Sequence, residues 1–176
     1  MKWVRFSVHC FQFKAAVFTA FITQKAINAM EIRKGTRKDF PEITRMWLEF
    51  FPEDTAKVAR EYLEERLGRG EILVMDSDGT VAGFLTFSKN YFFNSDYNQF
   101  VMVNGKFHRK GIATALMKEF ESQAGRRKCR RVFSSSEPWN KASISMHRKL
   151  GYARCGYIDN MWGEGKRDLF FSKKLG

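Results

Sequence analysis

His108-Arg109-Lys110-Gly111 runs directly into Ile112-Ala113-Thr114-Ala115-Leu116, and this junction holds residues whose types and order could bind an anion. A basic, glycine-containing turn that opens onto a helix presents backbone N–H groups without intrahelical partners, and the helix dipole adds to their field. Phosphate suits such a turn. A plainer reading also stands, in which Gly111 relieves a tight bend and the basic side chains are solvated. A second polar group follows about thirty residues later. Asn140, Ser143 and His147 recur at i, i+3 and i+7, on a different face from the stripe Ala142, Met146 and Leu150. Imidazole has a reference pKa of about 6.5, so His147 can deliver a proton near neutral pH, or it can be an ordinary helix-surface residue. Gly151 supplies the helix stop.

In order and spacing the two segments resemble the GNAT superfamily of acyl-CoA-dependent N-acetyltransferases. The family's phosphate-binding pattern is Gln or Arg, two residues, Gly, one residue, then Gly or Ala; His108-Arg109-Lys110-Gly111-Ile112-Ala113 matches it except at the first position. Its later signature, an Asn followed by a helix ending in Lys-Leu-Gly-Phe, is matched by Asn140 through Lys149-Leu150-Gly151-Tyr152. Two ordered matches are far more specific than one, and the resemblance extends from about Met30 to Leu175.

The resemblance implies acetyl-CoA as co-substrate, no metal ion, and direct acetyl transfer to a primary amine on a small molecule or peptide. It implies a mixed α/β fold: a central, mostly antiparallel twisted sheet flanked by about four helices, with a splayed strand pair at the cofactor site. Pantetheine would lie on the backbone of Val101 and Val103, with Asn140 holding its amide. The pyrophosphate would rest on amides from Arg109 through Lys110, Gly111, Ile112 and Ala113 to Thr114. A nearby amide, Met102, would face the oxyanion, since backbone donors are fixed before charge develops. His147 stands where the family commonly has a Tyr that protonates the departing thiolate, which makes it the expected catalytic acid. Two departures follow. His108 replaces Gln or Arg and lacks the forked, permanently charged guanidinium. The cofactor strand has Tyr97, Asn98, Gln99 and Phe100 where many relatives carry a Glu base, and Asp96 is the nearest carboxylate. Asp96 reads as the polar start of the strand, which leaves ordered water to take the amine's proton.

These residues need a scaffold, and the rest of the chain supplies one. Phe100-Val101-Met102-Val103 is a short apolar run suited to a buried strand, and Ile112, Ala115, Leu116 and Phe120 make the apolar face of the helix after the turn. Upstream, Glu31-Ile32-Arg33 opens as a strand, and Asp39 with Glu42 signals a helix start before Ile43, Met46, Trp47 and Phe50. A second helix spans Asp54 to Leu67 with Val58, Tyr62 and Leu63 inward. Ile72–Met75 and Val81–Leu85 flank the turn Asp76-Ser77-Asp78-Gly79 as a hairpin. Arg131-Val132-Phe133, Tyr152–Tyr157 and Leu169-Phe170-Phe171 complete the strands. This mixed order, without repeats, predicts one domain over 30–176, roughly 145 residues and enough for a substantial core. Trp47, Phe50, Phe51, Tyr91, Phe92, Phe93 and Trp162 either line an acceptor pocket or belong to the core.

Residues 1–29 hold Lys2, Arg5, Lys14 and Lys25 but no Asp or Glu, and their apolar stretch is too short to span a membrane. They read as a basic extension: an extra helix, a leader, or sequence preceding a start at Met30. The net charge is +12, and the chain beyond this extension remains basic. Coenzyme A is itself polyanionic, and no zinc spacing or nucleic-acid motif accompanies Arg126-Arg127-Lys128 or Arg130-Arg131, so nucleic acid is the lesser partner. Cys10, Cys129 and Cys155 show no paired or metal-like spacing and fit reduced thiols of a cytoplasmic protein. A non-catalytic acyl-CoA sensor is the competing function, and a homodimer is compatible with the sequence.

Overall fold

The computed structural model describes residues 30–161 and 163–176; the expectations for 1–29 and Trp162 lie outside the described residues. In chain order the elements are β1 (Met30–Lys34), α1 (Phe40–Phe50), α2 (Ala56–Gly68), β2 (Ile72–Ser77), β3 (Thr80–Phe92), β4 (Ser95–Val103), α3 (Ile112–Arg126), β5 (Arg131–Ser136), α4 (Lys141–Lys149), β6 (Ala153–Asp159) and β7 (Arg167–Lys174). The strands form one seven-stranded sheet in the order β1-β2-β3-β4-β5-β7-β6. Every pairing is antiparallel except β4 with β5.

Local chemistry explains most boundaries. Asp78 and Gly79 both take positive φ, 50° and 81°, as a tight turn between antiparallel strands requires, and Asp76 accepts the Gly79 N–H at 2.7 Å. Thr55 caps α2 by accepting the Val58 N–H at 3.2 Å. That register leaves Val58 itself 47% exposed rather than inward, while Leu63 is buried. Helix α1 starts after Asp39, as its sequence signals, but without a side-chain cap. The Asp39 carboxylate turns back to the Thr36 N–H and hydroxyl, at 2.7 and 2.9 Å, and to both guanidinium arms of Arg33. A forked charge pair with a backbone donor outcompetes a bond forward into the helix. Burial pushes the Asp39 carboxyl up, but Arg33 and Thr36 together hold it below its ordinary value.

Helices cover both faces of the sheet. On one, Ile112, Leu116 and Phe120 of α3 pack on Leu85, Phe87, Val132 and Phe171. On the other, Ile43, Met46 and Trp47 of α1 and Leu63 of α2 pack on Val74, Phe84 and Met102. Adjacent residues of β2 thus serve opposite cores, which is why Ile72-Leu73-Val74-Met75 reads as an unbroken apolar run. Each fully buried Leu, Ile or Phe contributes about 1.5–3 kcal/mol, so the central strands are held from both sides.

The important irregularity lies in β4. Phe87 pairs with Asn98 but Thr86 with Phe100, so Gln99 is an extra residue in a bulge. The ladder with β5 ends at Asn98 opposite Ser134, and β4 continues to Val103 with β3 alone.

Candidate active site

Beyond Asn98 the two parallel strands part, and a cleft of about 1220 Å³ occupies the gap. Val101, Met102 and Val103, the turn before α3 and the start of α4 line it. The Asn104 N–H donates to the Ala82 carbonyl at 3.0 Å, which fixes the phase of the β3–β4 ladder. Since strand backbone groups alternate with period two, Met102 also bonds toward β3, and Val101 and Val103 turn their N–H and C=O groups to the cleft. The expectation that the Met102 amide faces the oxyanion is therefore corrected: its N–H is held in the ladder with β3, and those of Val101 and Val103 are the ones turned to the cleft. His108 approaches from the turn, its Nε2–H donating to the Val103 carbonyl at 3.0 Å. It acts on the cofactor strand itself.

The turn fits a phosphate group. Arg109 and Gly111 take positive φ, 61° and 78°, and Gly111 is the residue before α3. The first helical bond runs from the Ala115 N–H to the Gly111 carbonyl, leaving the N–H groups of Ile112, Ala113 and Thr114 outside the helix ladder. A Cβ at Gly111 would meet nothing within 4 Å, so the space over these donors is open. Arg109, Gly111, Ile112, Ala113 and Thr114 line the cleft. Lys110 does not; its ammonium lies over the Phe107 ring, 5.0 Å from the centroid.

Asn140 caps α4, its Oδ1 accepting the Ser143 N–H at 3.0 Å, and its side chain borders the cleft. Of the polar row read from the sequence of α4, Asn140 and Ser143 reach the cleft, but His147 does not. Ala142, Ser143 and Met146 line the cleft, whereas His147 is fully buried. Its ring stacks on Phe171 at 4.6 Å and meets the edge of Tyr152 at 5.3 Å. Nδ1 lies 2.8 Å from the Ser143 carbonyl and Nε2 2.8 Å from Ser134 Oγ. Burial lowers its pKa, and the Ser143 carbonyl opposes the shift. His147 is not among the residues lining the cleft; β5 supplies a hydroxyl that makes burying the imidazole tolerable.

Asp96 is likewise buried and remote from the cleft. It pairs with Arg127 and accepts the Asn90 N–H at 3.0 Å, a polar anchor for the start of β4. The carboxylates that do border the cleft are Glu49, Glu53, Glu137 and Asp168. Asp168 is 3% exposed and accepts a long 3.4 Å bond from Ser135, whose oxygen lies 2.9 Å from the Tyr97 hydroxyl. Burial, with the nearby Asp168 charge, pushes Tyr97 up to about 12. The pairing of β7 with β5 brings Asp168 to this wall, and nothing in its local sequence announces it.

Of the aromatic candidates, Phe50 and Phe51 line the cleft, joined by Phe100 and Trp139. Trp47 sits behind them, with ring centroids 5.2 Å from Phe51 and 4.9 Å from Phe100. Tyr91, Phe92 and Phe93 lie at the exposed β3–β4 tip. Among the described residues no group of three or more His, Cys, Asp or Glu side chains could hold a metal ion. Among the same residues no helix is long and apolar enough to cross a membrane.

Comparison with known proteins agrees with this geometry. A family model described as the acetyltransferase (GNAT) family matches residues 39–152. A ribosomal-protein-alanine N-acetyltransferase from Brucella melitensis is similar in structure, with TM-score 0.72 and 25% identity over 82% of this chain and 99% of that one. A putative acetyltransferase from Salmonella typhimurium, solved with its cofactor acetyl-CoA, has TM-score 0.71 and 21% identity over 84% and 95% of the two chains. An aminoglycoside 6'-N-acetyltransferase from Enterococcus faecium has TM-score 0.68 and 17% identity over 82% and 96%. No curated protein matches the chain in a sequence search. With the family match spanning well over half of the chain, and the splayed strands and phosphate turn in place, the chain belongs to the GNAT family of acetyltransferases, which use acetyl-CoA.

Proposed function

We propose that this chain transfers the acetyl group of acetyl-CoA directly to a primary amine on a small molecule or a peptide. The observation that carries this reading is the continuity of one cleft. It joins the free backbone of β4 and the Gly111 turn to an end lined by Phe50, Phe51, Phe100 and the carboxylates Glu49, Glu53 and Asp168. Acetyl-CoA brings an activated thioester. The chain's share is to hold and orient it: amides from Arg109 to Thr114 take the phosphates, Val101 and Val103 offer backbone groups to the pantetheine arm, and Asn140 holds its amide. An outward N–H of β4 faces the oxygen on which negative charge develops.

The acceptor must lose a proton before it attacks, because a lysine-like amine has a reference pKa of about 10.4. Carboxylates at the acceptor end attract the ammonium, and water between them and the amine can accept its proton. His147 lies behind the wall, so this reading gives it a supporting part instead of direct protonation of the thiolate. Acceptors of both kinds occur on this architecture, as the names of the Brucella and Enterococcus proteins indicate. The free thiols of Cys129 and Cys155 and the need for acetyl-CoA support a cytoplasmic setting. The test is a CoA-release screen over small amines, aminoglycosides, polyamines and peptides with free N-termini. Release with at least one primary amine, and none with its tertiary analogue, is expected. Stabilisation by acetyl-CoA without release for any amine would instead support the sensor.

A further inference from the structure

Three side chains, His147 of α4, Ser134 of β5 and Asn98 of β4, form a buried chain that ends at the cleft wall, and none is more than 2% exposed. Nδ1 of His147 is 2.8 Å from the Ser143 carbonyl, which can only accept, so this nitrogen carries a proton. Nε2 is 2.8 Å from Ser134 Oγ, and that oxygen is 2.9 Å from one side-chain amide atom of Asn98. The other amide atom of Asn98 lies 3.2 Å from both the Thr86 and the Phe100 carbonyls, which flank the bulge at Gln99.

Two proton settings fit these positions. With His147 neutral, Nε2 accepts the Ser134 O–H, the Asn98 NH2 donates to the Thr86 and Phe100 carbonyls, and the Asn98 oxygen faces Ser134 without its proton. With His147 protonated, Nε2–H donates to Ser134, Ser134 donates to the Asn98 oxygen, and the NH2 donates to both carbonyls. The second setting satisfies every member but places a cation in the interior. Proton uptake by His147 thereby turns the Ser134 O–H from the imidazole to the Asn98 oxygen.

We propose that His147 is a positioning residue that sets, through Ser134, the hydrogen bonding of the Asn98 amide and with it the β4 bulge from which the acetyl-CoA-binding strand departs. The regulatory consequence rests on the acetyltransferase reading above; the hydrogen-bond coupling does not. Charged groups on the neighbouring elements are otherwise engaged or turned away. Glu121 of α3 pairs with Lys173 of β7 beside Tyr152, and Tyr152 presents only its ring edge to the imidazole. By strand alternation Arg131 and Asp168 lie on the opposite face of the sheet, where they meet Ser172 and Ser135. Asp96, two residues before Asn98 on β4, is paired with Arg127, and Arg148 and Lys149 of α4 are exposed. Burial places the titration of His147 below its ordinary value, so the event belongs on the acid side of it.

The decisive measurement is a pH titration of the ligand-free full chain by heteronuclear NMR, following the His147 imidazole and the Asn98 side-chain NH2 from pH 8 to 4. The expected result is Nδ1–H with unprotonated Nε2 at pH 8, then a common midpoint for both residues on acidification. In Ser134→Ala the Asn98 signal loses that midpoint. An Asn98 NH2 signal that stays still across the range overturns the proposal, whether or not His147 titrates. A second arm measures acetyl-CoA affinity at pH 7.5. Ser134→Ala and His147→Leu each weaken it about fivefold, and the double variant no more than the weaker single one, because all break the same chain. Unchanged affinity in both removes the regulatory consequence. No acetyl-CoA binding by the unaltered chain counts against the acetyltransferase reading and leaves the NMR result to stand alone.

Discussion

Gly111 shows how one residue can serve a site through its backbone. Its φ is 78° and a Cβ there meets nothing, so substitution is opposed by conformation and not by crowding. Gly111→Ala should cost about 1 kcal/mol in urea unfolding, the penalty of a left-handed L-residue. Relaxation of the turn should also weaken acetyl-CoA binding by about tenfold in calorimetry. His147 gives a prediction with a sign. Its folded pKa lies below its unfolded value, so as pH falls the unfolded chain takes up the proton first. The stability tied to neutral His147 is complete above about pH 6.5 and declines as pH falls toward the folded value. Urea midpoints at pH 8 and pH 5 should therefore converge more closely in His147→Gln than in the unaltered chain.

At the scale of elements, the site depends on where β4 leaves β5 and on how closely β3 approaches β4. A Cβ at Gly83 would stand 2.8 Å from the Met102 carbonyl and 2.9 Å from Ile112 Cγ2. One of those neighbours is ladder backbone and cannot swing aside. Gly83→Ala should destabilise by about 1–3 kcal/mol and lower Tm, with a larger loss of acetyl-CoA affinity than an exposed substitution such as Lys118→Ala. The strand, turn and helix from Phe100 to Phe120 were legible because each carries a local signal: an apolar run, a glycine in a basic turn, a helical period. The orientation of α4 was not. Its period groups His147 with Asn140 and Ser143, but the burial of His147 depends on Ser134 and Phe171, contributed by β5 and β7. The direction of the Met102 amide was hidden for a related reason, since the phase of a ladder is set by its partner strand.

Across the whole molecule, the seven-stranded sheet with a core on each face could be anticipated from two ordered motifs and the alternation of strands and helices. The acceptor end could not. Asp168 reaches the cleft because β7 inserts between β5 and β6, and Glu49 and Glu53 because α1 ends against the same opening. These are long-range consequences of topology; Asp96, read from the sequence as the polar start of its strand, is buried there. The molecule also combines a strongly positive overall charge with a cleft whose proposed phosphate end offers mostly uncharged backbone donors. Raising salt from about 50 to 500 mM should then weaken acetyl-CoA binding severalfold without abolishing it, because screening removes the long-range attraction but not the hydrogen bonds. The most direct test of the central claim is isothermal calorimetry of acetyl-CoA into the full chain at pH 7.5, alongside Gly111→Ala. One molecule bound per chain, with clearly weaker binding in the variant, is the predicted result; no binding, or equal affinity in both, would contradict the assignment of this cleft.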